Sequence, residues 1–180
     1  MKNIKVEITG LSPLLMNNPA SMIDEASNQM KQKTQKHNLG EEAKKLLYED
    51  KKGNLYIPSE AIKGCLIGAS SYKKIGKFSA RPMIAGGVFI TPQEIPLNKN
   101  EYDLDVRTVV IQRARVVKAR PKVEDWKAEF EISYNEKLIG NAEIIKAILE
   151  EAGERVGILD FRPAKLGSFG RFKVSKWQEK

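Results

Sequence analysis

Cysteine and histidine are almost absent from this chain of 180 residues, which contains only Cys65 and His37. A single cysteine excludes an intramolecular disulfide and any cysteine-rich zinc site, so the composition suits a reducing compartment. With a single histidine, any serine triad would have to use His37, and a zinc site would lack its second and third imidazole ligands. Most of the common catalytic and metal centres are therefore excluded.

Long apolar runs are lacking too. Nowhere does the sequence contain about 18 consecutive apolar residues, and it opens without the apolar stretch of a signal peptide. It contains no P-loop, no dinucleotide-binding glycine motif after a strand and no collagen-like or heptad repeat. Its acidic pairs lie outside apolar strand ends, so we interpret them as surface residues rather than metal ligands. We expect a cytoplasmic protein with no membrane partner, no metal and no cofactor.

The charge is predominantly of one sign. Lys and Arg number 31 against 23 Asp and Glu, which gives a formal net charge of +8 and makes polyanions the first partner class to consider. Hydrophobic residues make up 41% and charged residues 30%, a composition that favours a folded chain over a disordered one. The length predicts a single domain over residues 1–180.

Hydrophobic periodicity predicts the outer elements of this domain. Ile4 to Leu11 alternates apolar and polar residues, which is typical of a half-buried strand. Pro58 to Ser71 places its apolar residues on one helical face and is the first predicted core helix. Asn141 is expected to cap a second core helix, which Gly153 is expected to end. Arg171 to Trp177 is the predicted last strand.

The middle of the chain supplies a predicted strand of the unbroken, buried kind at 86–92. Two long predicted strands follow, a basic one over 105–123 and one at 126–134, joined by a Pro-containing bend. Residues 17–40 are rich in Asn, Gln, Ser and Lys, and we expect a flexible insertion after the first strand. The order strand, helix, two strands, helix, strand is that of an α+β, ferredoxin-like antiparallel sheet with two helices. Such a sheet leaves one face open for binding.

The densest basic run of the chain lies between Val106 and Lys122 and contains no acidic residue. On a regular strand Arg113 and Arg115 share one face, and a row of guanidinium groups at about 7 Å spacing suits successive phosphates. The alternative is a solvated strand face or a charged edge. The predicted phosphate contacts in this run are Arg107, Arg113, Arg115, Lys118 and Arg120, with Lys122 beside them.

A loop between the second helix and the last strand combines glycine, basic and aromatic residues. Glycines let backbone amides approach a phosphate, and Phe or Arg planes stack on unpaired bases. The alternative is a structural turn whose phenylalanines complete the core. The residues of this loop are Gly157, Phe161, Arg162, Lys165, Gly167, Phe169, Gly170, Arg171 and Phe172.

Two segments resemble signatures of the RAMP proteins. IPSEAIKG, residues 57–64, resembles the segment that opens their first helix, and GILDFRPAKLGSFGRFKV resembles their C-terminal glycine-rich loop and last strand. The resemblance implies a ferredoxin-like fold of the RNA-recognition-motif type. The most similar layout is that of the backbone subunit of CRISPR effector complexes, which polymerises along guide RNA, or of a stand-alone or phage-borne relative. It also implies that Ser59 and Lys63 lie near the RNA backbone and that Gly167 and Gly170 are loop glycines, while Glu60 departs from the signature.

The residues and the resemblance together predict a non-catalytic protein that binds single-stranded nucleic acid, with RNA favoured over DNA. Phosphate contacts would come from the basic run, the loop and Lys63, and stacking from Phe169 or Trp126. Its partners would be further copies in a repeating oligomer or other RAMP-type subunits. Two alternatives stay open: a metal-independent RNA endonuclease that uses His37, and a phage inhibitor that mimics a CRISPR backbone subunit.

Overall fold

A computed structural model describes residues 1–19, 38–111 and 113–180. His37 and most of the expected insertion at 17–40 lie outside these ranges. The described strands are β1 (Lys2–Gly10), β2 (Leu14–Leu15), β3 (Tyr56–Pro58), β4 (Lys74–Ile75), β5 (Phe78–Ser79), β6 (Val88–Thr91), β7 (Glu94–Pro96), β8 (Asp103–Ile111), β9 (Ala114–Val123), β10 (Lys127–Tyr134) and β11 (Phe172–Glu179). The described α-helices are α1 (Leu39–Lys45), α2 (Ser59–Ala69), α3 (Ala80–Gly87), α4 (Glu136–Ile139) and α5 (Ala142–Glu151).

A four-stranded antiparallel sheet in the order β11-β1-β10-β6 forms the centre of the protein. The alternation in β1 forms the predicted half-buried strand, because its apolar residues Ile4, Val6 and Ile8 are buried. They pair with residues Ile132, Phe130 and Ala128 of β10, respectively. These side chains belong to one core cluster with the apolar faces of α2 and α5, which pack on the same side of the sheet. The opposite side carries polar residues and is open.

Helix α2 forms as its periodicity predicts, since Ile62, Cys65, Leu66 and Ala69 are its buried apolar residues. Pro58 is the N-cap rather than the first helical residue, and the chain tightens into a 3₁₀ turn over Ser70–Tyr72. Pro is well suited to this start because it has no N–H group to satisfy.

Helix α5 begins at its predicted cap, where the Asn141 side chain accepts a hydrogen bond from the Ile144 N–H at 3.1 Å. It does not end at Gly153. A π-helical turn continues over Ala152–Val156, and Gly157, with φ of 69°, ends it. A side chain at Gly153 would overlap the backbone of Phe172, so this glycine allows close packing on β11.

The long basic strand expected over 105–123 is instead two strands. β8 and β9 pair antiparallel from Asp103↔Lys122 to Ile111↔Ala114, and β2 joins them as a third, short strand. We call the β8–β9 hairpin the arm. It lies outside the central sheet, and its reversal includes Arg113, whose φ of 68° is left-handed. No glycine or proline marks this turn in the sequence, which explains the wrong prediction.

The fold is therefore a mixed α+β structure with antiparallel sheets, which confirms the predicted class. No helix within the described ranges is long and apolar enough to cross a membrane.

Candidate nucleic-acid interface

The outer part of the arm holds two of the predicted phosphate contacts, in a different arrangement from the one expected. Arg113 lies in the turn, whereas Arg115 is on β9 opposite Val110. The two side chains therefore do not form a row on one pleated face. Both are exposed, and neither has an acidic partner in the described part of the chain. The end of the arm thus presents two guanidinium groups that no acidic residue of the described ranges neutralises.

At the base of the arm the predicted cations are engaged with protein groups. Arg120 is only 7% exposed and forms an ion pair with Asp160 at 2.6 Å. Lys118 donates to the Asn17 side chain at 3.3 Å, and Lys122 pairs with an exposed glutamate at 2.7 Å. Burial and pairing remove Arg120 from the residues that can contact a phosphate in this conformation.

Arg107 connects the arm to the loop over residues 157–171, which we call the glycine loop. Its guanidinium carbon lies 4.9 Å from the ring centroid of Phe169 and 5.7 Å from that of Phe161. The two rings are 6.0 Å apart, and Asp105 accepts a hydrogen bond from the Arg107 Nε at 2.8 Å. This cation–π cluster holds the base of the arm against the loop.

The two aromatic residues expected to stack on bases are buried. Phe169 is 6% exposed, and Trp126 is 0% exposed, with its Nε1 donating to the Ser12 carbonyl at 2.9 Å. Trp126 also packs edge-on against Phe172 at 6.4 Å. The side chains of Phe169 and Trp126 therefore complete the core. For Phe169 and Phe172, the alternative of a structural turn whose phenylalanines complete the core is the one observed.

The loop glycines allow the loop to fold back closely on itself. A side chain at Gly167 would overlap the Phe161 carbonyl, and one at Gly170, where φ is 67°, would overlap the Ile158 carbonyl. Gly170 also donates its N–H to Pro13 at 2.8 Å. With the hydrogen bond from the Asp160 N–H to the Leu15 carbonyl at 3.0 Å, these contacts fix the loop beside β2. Lys165 and Arg171 remain exposed on it, without an acidic partner within the described ranges.

A groove of about 470 Å³ lies between the glycine loop and the first half of α2. Its helical wall includes Glu60, Ala61 and Gly64, and its loop wall includes Asp160 and Arg162. A Cβ at Gly64 would meet no atom within 4 Å, so the helix backbone is bare at this point. The groove therefore admits a ligand close to α2, beside one arginine and two carboxylates.

Three further groups define the chemistry of this groove. Arg162 Nη1 donates to the Leu159 carbonyl at 2.7 Å, which sets its position on the rim. Burial raises the pKa of the Tyr48 hydroxyl, which also lines the groove. Burial raises the pKa of the Cys65 thiol to about 12, and its Sγ–H donates to Ala152 at 3.3 Å, so this thiol is inert at neutral pH.

The two residues implied by the RAMP-like signature of α2 do not line the groove. Ser59 is buried, and its N–H donates to the Gln93 carbonyl at 2.8 Å. Lys63 donates to the Val88 carbonyl and lies 5.1 Å from the ring centroid of Phe89. Burial lowers the pKa of the Lys63 ammonium. Both therefore make structural contacts at the edge of the central sheet.

The open face of the central sheet is acidic as well as basic. A depression of about 600 Å³ there is lined by Glu7, Glu129 and Glu131, with Lys176 among its cations. Lys176 pairs with Glu7 at 2.5 Å, and this hydrogen bond is the main reason that the pKa of Glu7 falls to about 2. Ion pairs with lysines occupy the carboxylates of Glu7 and Glu131, so the face expected to be open for binding offers a polyanion no excess of positive charge.

No group of three His, Cys, Asp or Glu side chains that could hold a metal occurs in the part of the chain that the structure describes.

The bare backbone of Gly64 was missed by sequence reasoning. It could have been found as the one glycine of the predicted helix on its exposed face, between Glu60 and the buried Cys65.

Comparison with known proteins gives one kind of match. No family model and no curated protein matches this chain. Among solved structures, its fold is similar to that of a chain in the cryo-electron microscopy structure of Type III-B Cmr-β bound to cognate target RNA. The TM-score is 0.65 and the sequence identity 16%, over 99% of this chain and 60% of the other. The protein thus has the fold of a component of an RNA-bound assembly and spans about three fifths of that component's length.

Proposed function

We propose that the protein binds single-stranded nucleic acid, preferably RNA, along the arm and the glycine loop, without cutting it. The observation that carries the proposal is a set of four exposed cations on these two neighbouring elements, none with an acidic partner among the described residues. Backbone phosphates are suitable counter-charges for such groups. The four cations are Arg113, Arg115, Lys165 and Arg171.

The fold supports a more specific form of this proposal. The sheet order β11-β1-β10-β6, with α2 and α5 on one side, is the arrangement expected of a ferredoxin-like domain. Together with the signature over residues 57–64, it supports a RAMP-like protein that works as a CRISPR effector subunit or as a relative of one. The similarity to a chain of RNA-bound Cmr-β agrees with this assignment. In such a role the protein binds as a repeating oligomer or beside other subunits.

The proposal is tested by fluorescence anisotropy with 30-nucleotide RNA, DNA and duplex probes between 50 and 400 mM salt. The logarithm of the binding constant should fall with the logarithm of salt on single strands, and the four cations of the arm and the glycine loop should contribute roughly −3 to this slope. The double variant Arg113→Ala/Arg115→Ala should weaken binding and reduce the slope by about 1.4. The control Lys51→Ala/Lys52→Ala removes the same charge from an exposed turn beside acidic residues and should leave binding unchanged.

A flat salt response, or no binding at 50 mM salt to any probe, contradicts the proposal. The same samples distinguish the catalytic alternative. RNA that is cut in the presence of a chelator by wild type, and left intact by His37→Ala, would replace a binding role with that of an endonuclease.

A further inference from the structure

A second stretch of the chain, like the run between Val106 and Lys122, contains basic residues and no acidic ones. Between Ala61 and Gln93 there are 33 residues without a single Asp or Glu. The last four of its cations are concentrated in twelve residues after α2 that also contain Tyr72 and Phe78. The five cations of the whole stretch are Lys63, Lys73, Lys74, Lys77 and Arg81.

The structure gives this segment a defined shape. β4 and β5 form a tight hairpin in which Lys74 pairs with Ser79 and Ile75 with Phe78. The two-residue turn consists of Gly76, with φ of 61°, and Lys77, so Lys77 lies at the tip. Glycine with positive φ at the first turn position is the chemistry that such a turn requires. We call residues 72–81 the basic hairpin.

The basic hairpin is anchored to the body of the protein at its base. Lys73 forms an ion pair with Glu151 of α5 at 2.5 Å, and its carbonyl accepts the Ala80 N–H at 3.0 Å. Ile75 packs against the core, and Ala80 is fully buried at the start of α3. The outer groups are therefore held on a fixed base.

Two aromatic rings and three cations of the basic hairpin point to solvent. Tyr72 is 86% exposed and Phe78 is 69% exposed, more than any other aromatic side chain in the described part of the protein. Lys74, Lys77 and Arg81 are exposed and have no ion pair within the described ranges. Aromatic rings interleaved with unneutralised cations form a surface on which unpaired bases stack while phosphates are neutralised.

We infer that the basic hairpin is a second contact surface for single-stranded nucleic acid, in which Tyr72 and Phe78 stack on bases and Lys74, Lys77 and Arg81 contact phosphates. The inference rests on the proposed function and extends it to a surface outside the arm and the glycine loop. The groove lies at the first half of α2, an 11-residue helix about 16 Å long, whereas the basic hairpin follows the end of this helix. A strand bound at both surfaces would run along α2.

The test measures anisotropy with fluorescein-labelled 30-nucleotide oligo(U) and compares Tyr72→Ala/Phe78→Ala with Tyr72→Phe/Phe78→Tyr. Loss of both rings should weaken binding about tenfold or more, whereas the aromatic exchange should retain binding, since either ring stacks. Lys74→Ala/Lys77→Ala should reduce the salt slope by about 1.4, and the control Lys51→Ala/Lys52→Ala should not. All four residues are exposed, so urea unfolding midpoints should match wild type.

The outcomes separate this inference from the proposed function. If the hairpin variants bind like wild type while Arg113→Ala/Arg115→Ala binds weakly, the inference is overturned and the proposed function stands. No binding by wild type overturns both. Unchanged binding of an 8-nucleotide probe, together with loss of self-association in sedimentation, would assign the hairpin to contacts between protein copies and overturn its role in binding bases.

Discussion

Arg115 and Arg120 lie five residues apart on β9 and have identical side chains, yet their surroundings give them different roles. Arg115 is exposed near the end of the arm, whereas Arg120 is buried at its base and paired with Asp160. The Nε of Arg120 has no hydrogen-bond partner among the described residues. A guanidinium in this position stabilises the contact between the arm and the glycine loop, and it is covered from solvent.

Removing these two arginines separately should therefore affect different properties. Arg120→Ala leaves the Asp160 carboxylate without its partner and opens a cavity, so we expect the free energy of unfolding to fall by about 1–3 kcal/mol. Arg115→Ala should change it by less than about 0.5 kcal/mol and should weaken RNA binding instead. Urea titrations and anisotropy on both variants make the comparison. Equal stability of the two proteins would show that the Arg120–Asp160 pair is not structural.

Among the elements, α2 connects the core to the groove. Its buried face holds Ile62 and Leu66 against the sheet, while Gly64 leaves bare backbone on the groove side. Glycine in a helix costs about 0.5–1 kcal/mol relative to alanine, so its presence here lowers stability and keeps the groove open. In α3, Gly86 is likewise exposed, and a Cβ there would also meet no atom within 4 Å.

Substitutions at Gly64 should separate stability from access. Gly64→Ala and Gly86→Ala should each raise the free energy of unfolding by about 0.5–1 kcal/mol with little effect on RNA affinity. Gly64→Trp places an indole against the glycine loop, which the proposed function assigns to RNA, and should therefore weaken RNA binding, whereas Gly86→Trp, at the equally open position outside the groove, should not. Thermal unfolding and anisotropy measure both quantities. Wild-type affinity in Gly64→Trp would show that nucleic acid does not enter the groove.

The same elements show how far the sequence predicts the fold. β1, α2 and α5 have strong periods of two or 3.6 residues, because one face of each is buried, and all three were predicted. The reversal of the arm contains no Gly, Pro, Asn or Asp, and its left-handed residue is Arg113. No local signal in the sequence therefore distinguishes a hairpin from one long strand. Gly153 was expected to end α5, but its absent side chain serves packing on β11.

The candidate site was predictable in composition but not in geometry. The positive charge of the arm and of the glycine loop could be predicted, because it depends only on which residues these segments contain. The partner that removes Arg120 from solvent is 40 residues away, and the burial of Phe169 depends on how the loop folds over Gly167. Both are tertiary contacts, which a sequence pattern does not contain.

At the scale of the whole molecule, charge is divided between surfaces. On the arm, the glycine loop and the basic hairpin lie cations without an acidic partner in the part of the chain that the structure describes, whereas the open face of the sheet contains three carboxylates paired with lysines. The arm adds an apolar face, because Leu104, Val106 and Val110 are all about half exposed or more. A folded domain seldom exposes such side chains in a row without a partner surface. The proposed repeating assembly supplies one, since the arm of one copy can pack on its neighbour along a shared strand.

This arrangement predicts cooperative binding that depends on the apolar face of the arm. Leu104→Thr/Val106→Thr/Val110→Thr retains the β-forming character of the arm and every cation, so an 8-nucleotide RNA should bind as it does to wild type. On a 60-nucleotide RNA, wild type should sediment as a row of several copies, whereas the variant should bind as separate copies with at least tenfold lower affinity. Leu11→Thr/Leu138→Thr changes exposed leucines elsewhere and should assemble like wild type. A variant that still forms rows would locate the contact between copies away from the arm, and a wild type that stays at one copy per long strand would exclude the repeating assembly altogether.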